Sequence, residues 1–212
     1  MLSLAFECAG RGLSAALAEE GQLIGATQLD MDRGQPAALL PALHTLLHDH
    51  GKSPSALARI GCTLGPGGFT GIRLGIAAGL GLARATNAAF HGFNAFDVYT
   101  LNEGDRGGLC IAIESRRAEV FVRAFGKNGM SLELADEVMT SEAIHARITV
   151  SRVIGSAADK LDPKAINAEP DMAALATFLS QACKGDSLLM QSYNQTVPLY
   201  LRAPEIGGAA KS

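Results

Sequence analysis

The sequence predicts an α/β protein built from two successive units of similar architecture. Three observations carry this. The chain is 48% hydrophobic with only 5% aromatic residues and no tryptophan, so its core must be aliphatic, a composition that suits layered helices and sheets better than an aromatic-rich sandwich. The N-terminal stretch reads as a three-strand meander. After a polar, glycine-rich segment, GDRGG at 104–108, the same pattern restarts.

The elements follow in order. LSLAFECA is a short apolar strand and GRG a turn. LSAALAEEGQLIGATQLD reads as two more strands around the Glu20-Gly21 turn. A helix is predicted over about 36–50, with Pro36 in its first turn and Gly51 at its stop. Leu39, Leu40, Leu43, Leu46 and Leu47 give it an apolar stripe. Pro41 interrupts that pattern, so the helix either kinks there or begins near residue 40. A strand over 59–64 feeds the loop GPGG, and a helix follows from Gly71 to about Thr86. AAFHGFNAFDVYTLNE supplies a further short strand and helix. Beyond GDRGG, LCIAIES, RRAEVFVRAFG and MSLELADEVMT are three strands. SEAIHARI is a short helix, RVIGSA a strand, and DMAALATFLSQACKG an amphipathic helix. Two βββαβα-type halves, 1–104 and 105–212, are the layout of the two-domain actin, Hsp70 and sugar-kinase fold. A doubly wound sheet or two unrelated α+β domains are the alternatives.

Eighteen basic against 21 acidic residues give a net charge of −3, which disfavours autonomous nucleic-acid binding but leaves open contact through a partner. Cys8, Cys62, Cys110 and Cys183 are far apart and form no CxxC pair, so zinc-ligand spacing is absent and buried free thiols are expected. No basic region followed by an apolar one opens the chain, and no run of 18 uncharged apolar residues occurs, so neither a signal peptide nor a membrane span is expected. The tail GGAAKS reads as frayed.

The stretch GPGGFTGIRLGIAAGLGLARAT, 65–86, is the most informative. It opens like a phosphate loop: Gly67 and Gly68 lead to Thr70 at an expected N-cap, and helix N-termini attract anions. No lysine follows, so the P-loop patterns GxxxxGKS and GxxxxGKT are excluded. A structural turn competes with a phosphate contact. The glycines continue into the helix at Gly71, Gly75 and Gly79, each costing about 1 kcal/mol relative to alanine. They mark a face for close approach, either to the domain's own sheet or to a second helix. Glu7 ends the first strand, where a carboxylate could face a nucleotide or serve as an ordinary strand-end charge. Glu114 holds the equivalent place in the second half, followed by Arg116 and Arg117, which read as solvated or phosphate-facing. His44 and His48 have i, i+4 spacing without a third ligand, so solvated histidines are favoured over a metal pair. His91 and His145 are isolated and read as capping or packing residues. No Ser/His/Asp grouping is visible.

Four segments in order resemble the TsaB family. GPGGFTGIRLG is similar to its GPGSFTGLRIG, and LAFECAGRGLSAAL to its opening LAIDTSTxxxSVAL. IAIESRRAEVFV is similar to its ARRxEVY segment, and PLYLRAPEI, 198–206, to its closing PxYLRxP. The resemblance implies the actin/Hsp70-like fold and a non-catalytic role beside a TsaD-like transferase in threonylcarbamoyladenosine modification of tRNA. A small-molecule kinase or ATPase of the same fold is the alternative; a peptidase lacks visible residues. It also implies a TsaE-like ATPase as further partner, a homodimer when alone, tRNA contact only through the complex, no membrane contact and a cytoplasmic location. No cofactor is expected to be held tightly, with ATP or ADP and Mg an option at the complex. TsaD-like proteins place a histidine pair just after this region; here only His91 stands there. In the family, the helices matching 36–50 and 71–86 form the shared surface, which makes Leu40, Leu43, Leu47, Gly71, Gly75 and Gly79 the partner-facing candidates. Glu7, Gly67, Gly68 and Thr70 are the weaker nucleotide candidates. Glu7-Cys8-Ala9 replaces the family's Asp-Thr-Ser and removes two hydroxyls that could face phosphate.

Overall fold

A computed structural model describes residues 1–130, 132–181 and 195–202. Cys183, the end of the last predicted helix and the tail GGAAKS lie outside the described residues. The chain begins with β1 (Leu2–Glu7), β2 (Leu13–Glu19) and β3 (Gln22–Leu29), an antiparallel meander. α1 (Gln35–Asp49) leads through a single 3-10 turn to β4 (Leu57–Thr63), α2 (Phe69–Thr86), β5 (Ala89–Phe93) and α3 (Ala95–Tyr99). β4 joins β1 in parallel and β5 joins β4, so the first sheet has the order β3-β2-β1-β4-β5. The second sheet repeats the scheme. β6 (Leu109–Glu114), β7 (Val120–Phe125) and β8 (Leu132–Met139) form a meander, α4 (Ser141–Arg147) follows, and β9 (Arg152–Ile154) joins β6 in parallel. Its order is β8-β7-β6-β9, and α5 (Met172–Gln181) comes last. A meander extended by parallel strands across its first member, made twice, is the actin/Hsp70-like architecture the sequence predicts.

Burial explains the strand types. β1 is buried at every position because both faces of the first sheet are covered. On one face Leu4, Phe6, Ile60 and Cys62 meet Leu39, Leu43 and Leu47 of α1 and Ile72 and Ile76 of α2. On the other, Ala5, Ala16 and Ala18 meet Leu175 and Leu179 of α5. Small alanines on that side let α5 lie close to the strands. α1 runs unbroken through Pro41, which sits on its solvent side, so neither the predicted kink nor the late start occurs.

Sheets change at the segment 104–108, where the sequence divides the chain. The division into 1–104 and 105–212 as folding units remains a proposal, because three elements cross it. α5 packs on the first sheet, and Leu199 and Tyr200 pack against the first core. In the other direction, Phe96 and Tyr99 of α3 pack against Leu109, Ile111 and Phe121 of the second sheet.

Candidate functional site: the glycine loop and the cleft between the sheets

The β4–α2 loop meets the β1–β2 turn. α2 begins at Phe69 with Gly68 as its N-cap, and no side chain caps it. Thr70 is therefore inside the first turn, exposed, and not the predicted cap. The helix starts early because Gly68 N donates to Ala9 O at 2.7 Å, which fixes the loop on the neighbouring turn. A Cβ on Gly67 would stand 3.0 Å from Ala9 Cβ, and one on Gly68 2.9 Å from Ala9 O. These glycines admit a neighbouring backbone.

The glycine stripe of α2 also faces inward, which corrects the expectation that it meets a partner helix. A Cβ on Gly71 would collide with the Cys8 carbonyl, and one on Gly79 with the Phe90 ring. A Cβ on Gly75 would stand 3.3 Å from Cys8 Sγ. The reason is the alternation of β1: Phe6 and Cys8 stand on the face that α2 crosses, and only glycine leaves room for them. Leu43 and Leu47 are likewise core residues, each 2% exposed. Of the six partner-facing candidates, only Leu40 points outward, at 56% exposure. The outward stripe of α2 is Thr70, Arg73, Ala77, Leu80 and Gly81, with Arg84 beyond. Leu80 is 39% exposed and Gly81 has open space around it.

A cavity of about 490 Å³ lies beside the loop, between the two sheets. Gly67, Gly68 and Thr70 line it from one side, Arg116 and Arg117 from the other, and Arg202 from the C-terminal segment. Arg116 holds a left-handed backbone, φ 61°, at the β6–β7 turn, where its N–H donates to Glu114 Oε1 at 2.5 Å. Lys160 pairs with Glu114 at 2.8 Å and donates to Arg117 O at 2.9 Å. An adjoining cleft of about 1400 Å³ is lined by Arg11, Glu114, Lys160 and Glu169. The arginines opposite the glycine loop make a polar, cation-bearing recess suited to an anionic group.

Glu7 is not part of that recess. It is 5% exposed, and its Oε1 accepts from the N–H groups of Ala9 and Gly10, so it ties down its own turn. Oε2 has no hydrogen-bond partner among the described residues. Burial, with a smaller contribution from Glu169, pushes the Glu7 carboxyl up to about 7. A buried carboxyl bonded to backbone is ill placed for phosphate, and this corrects the nucleotide reading of Glu7. Its neighbours Cys8 and Ala9 reach the cavity instead.

The remaining candidates are structural. His44 and His48 are exposed and stack at 6.2 Å, and among the described residues no three His, Cys, Asp or Glu side chains are grouped to hold a metal. His91 is buried in β5, and Ser141 Oγ lies 3.4 Å from His145 Nδ1 on α4. Cys8, Cys62 and Cys110 are buried free thiols, and burial pushes all three up from the ordinary thiol range, Cys110 to about 12. Two arrangements escaped the sequence. Arg123, with a side chain 12% exposed, grips Asp136 through Nε at 2.6 Å and Nη2 at 2.9 Å, and Asp97 at 2.5 Å. Asn94, the N-cap of α3, donates to the same Asp136 at 2.7 Å, so α3 is latched to the second sheet. The second arrangement is Tyr200, stacked on Phe69 at 4.6 Å and accepting from Arg73 Nε at 2.9 Å. The PLYLR motif was the only hint of it.

The comparisons agree with this architecture. The family model for TsaD, tRNA N6-adenosine threonylcarbamoyltransferase, matches residues 32–181. The tRNA threonylcarbamoyladenosine biosynthesis protein TsaB of Bacillus subtilis (strain 168) is 27% identical over 132 residues, 61% of this chain and 58% of that protein. TsaB of Escherichia coli (strain K12) is 25% identical over 154 residues, 70% of this chain and 66% of that protein. The chain thus spans less than two thirds of either curated relative. Two solved structures share the fold. YeaZ from Pseudomonas aeruginosa has a TM-score of 0.68 at 21% identity, covering 94% of this chain and 99% of its own. A protein described as similar to peptidase YEAZ from Pseudomonas aeruginosa has a TM-score of 0.70 at 23% identity, covering 95% and 99%. With most of its length matched by one family model and its curated relatives named TsaB, the chain belongs to the TsaD family, on its TsaB side.

Proposed function

We propose that this chain is a non-catalytic partner subunit that works with a TsaD-like transferase in threonylcarbamoyladenosine modification of tRNA. One observation carries the reading: in a chain of this family, α1 and α2, packed on one face of the first sheet, each turn a leucine outward, Leu40 on α1 and Leu80 beside Ala77 and Gly81 on α2. Exposed leucines around small residues form a low-relief face on which another helix pair can pack closely. The same face would serve a homodimer when the transferase is absent, so the two assemblies would compete. His91 supports the non-catalytic role, because the only histidine where TsaD-like proteins carry a pair is buried in a strand. The kinase or ATPase alternative gains nothing from Glu7, whose ordered oxygen is already bonded to backbone. A TsaE-like ATPase, ATP or ADP with Mg at the complex, tRNA contact through the complex and a cytoplasmic setting belong to the same proposal. No helix among the described residues is long and apolar enough to cross a membrane.

The test is association. Leu40→Asp or Leu80→Asp is expected to weaken binding to the TsaD-like subunit by about tenfold or more, as for anchors near an interface centre. The melting temperature of the free chain should be nearly unchanged, because both side chains are exposed. Calorimetric affinity equal to wild type for both variants would overturn the proposed surface.

A further inference from the structure

Residues 195–202 cross from one half of the molecule to the other. On the first half they lie in a seat built from glycine. The Gln195 carbonyl passes where a side chain on Gly92 would stand, and the Leu199 carbonyl lies 2.7 Å from the place of a Cβ on Gly65. Leu199 N donates to Leu64 O at 2.7 Å, as an extra strand-like contact on the end of β4. Tyr200 is then held by the Phe69 ring and by Arg73, whose guanidinium lies 3.8 Å from the centre of that ring. On the second half, Arg202 Nη2 reaches Glu119 Oε2 at 3.1 Å, beside the β6–β7 turn that carries Arg116 and Arg117. Between these anchors, Leu199, Tyr200, Leu201 and Arg202 form part of the wall of the 490 Å³ cavity.

We infer that residues 195–202 form a releasable strap that holds the two halves together across the glycine-loop cavity and governs access to it. Its anchors are few and mostly partly exposed. Arg202 and Glu119, with side chains 27% and 38% exposed, are a partly solvated pair of the kind whose contribution is small and salt-sensitive. Residues 195–197 are exposed as they enter the seat. Among the described residues the segment is held by the Leu199 backbone bond, by Tyr200 on Phe69 and Arg73, by half-buried Leu199 and Leu201 at the edges of the two cores, and by one ion pair, and such an edge segment opens locally more readily than the fully buried strands beneath it. The seat is nevertheless specific, since glycine at 65 and 92 is what lets the strap's backbone approach. The strap is thus ordered when closed and weakly held, and it touches both walls of the recess that the glycine loop and the arginines form.

Three cysteines provide the readout. Cys8 lines the cavity, whereas Cys62 and Cys110 are buried outside its lining. The full-length chain is treated with N-ethylmaleimide at fixed pH, and labelling of each cysteine is followed by peptide mass spectrometry. Arg202→Glu, and separately Glu119→Arg, should raise the labelling rate of Cys8 about tenfold, with Cys62 and Cys110 unchanged. The double variant, which restores opposite charges, should return Cys8 to the wild-type rate. The inference is overturned if Cys8 stays at the wild-type rate in both single variants, if Cys62 and Cys110 rise in step with it, or if the double variant fails to restore it.

Discussion

Glu7 shows how a position can be read correctly and its chemistry still change. Its usual value is 4.5, and burial raises it to about 7 in the folded protein. The folded state then binds the proton more tightly than the unfolded state, so the stability this group contributes is complete below about pH 4.5. It declines as pH rises and is lost above about 7. Glu7→Gln keeps an oxygen for Ala9 and Gly10 and removes the charge. Its unfolding free energy, from urea titration, should exceed that of wild type at pH 8 by at most roughly 3.5 kcal/mol, at about 1.4 kcal/mol per pKa unit, and the gap should close at pH 5. Parallel pH dependences for the two proteins would refute this. A second contrast at this scale comes from two glycines of one helix. Gly71→Ala drives a methyl into the Cys8 carbonyl and should cost about 3 kcal/mol or more, since backbone cannot yield as a side chain does. Gly81→Ala enters open space and should raise stability by about 0.5–1 kcal/mol through helix propensity. Thermal melts of the two variants shifting in the same direction would contradict the packing described.

At the scale of elements, most of the order was legible. Strand and helix types follow from periodicity, and the restart after GDRGG follows from composition. What periodicity could not supply was direction. α2 is apolar or small nearly all round, so the sequence offers two faces and does not say which one the sheet takes. The answer depends on Phe6, Cys8 and Phe90, residues far away in the chain. The start of α2 differs from the sequence expectation for a similar reason: Thr70 has the right chemistry for a cap, but the contact between Gly68 and Ala9 begins the helix earlier. The Arg123 latch was invisible because its partners lie on α3 and β8, and each looks like an ordinary surface charge alone. Arg123→Met removes the cation and leaves Asp97 and Asp136 facing each other. Because Asp97 remains 39% exposed, the cost should fall below that of a fully buried pair, at about 2 kcal/mol, measured as a lowered urea midpoint. A midpoint unchanged within error would mean that water replaces the guanidinium without loss.

At the scale of the whole molecule, the repeat of architecture is not a repeat of self-sufficient units. Each half of the sequence contains a meander and its helices, which suggests two bodies joined at 104–108. The buried surface argues otherwise. One face of the first sheet is covered by α5, from the far end of the chain, through Leu175, Ala176 and Leu179 against Ala5, Ala16, Ala18 and Phe93. Leu179 also passes so close to Gly61 that a Cβ there would stand 2.6 Å from its Cδ1. Without α5, strands buried on both faces would expose one apolar face to water, and parallel strands of this kind require cover on both. The fragment 1–104 should therefore show no cooperative thermal transition by itself and should bind a dye specific for exposed apolar surface. Supplying 105–212 as a separate chain should restore a cooperative melt, because α5 and the α3 contacts can then form in trans. If 1–104 alone melts cooperatively near the temperature of the intact chain, α5 is an accessory and the boundary at 104 separates two independent domains.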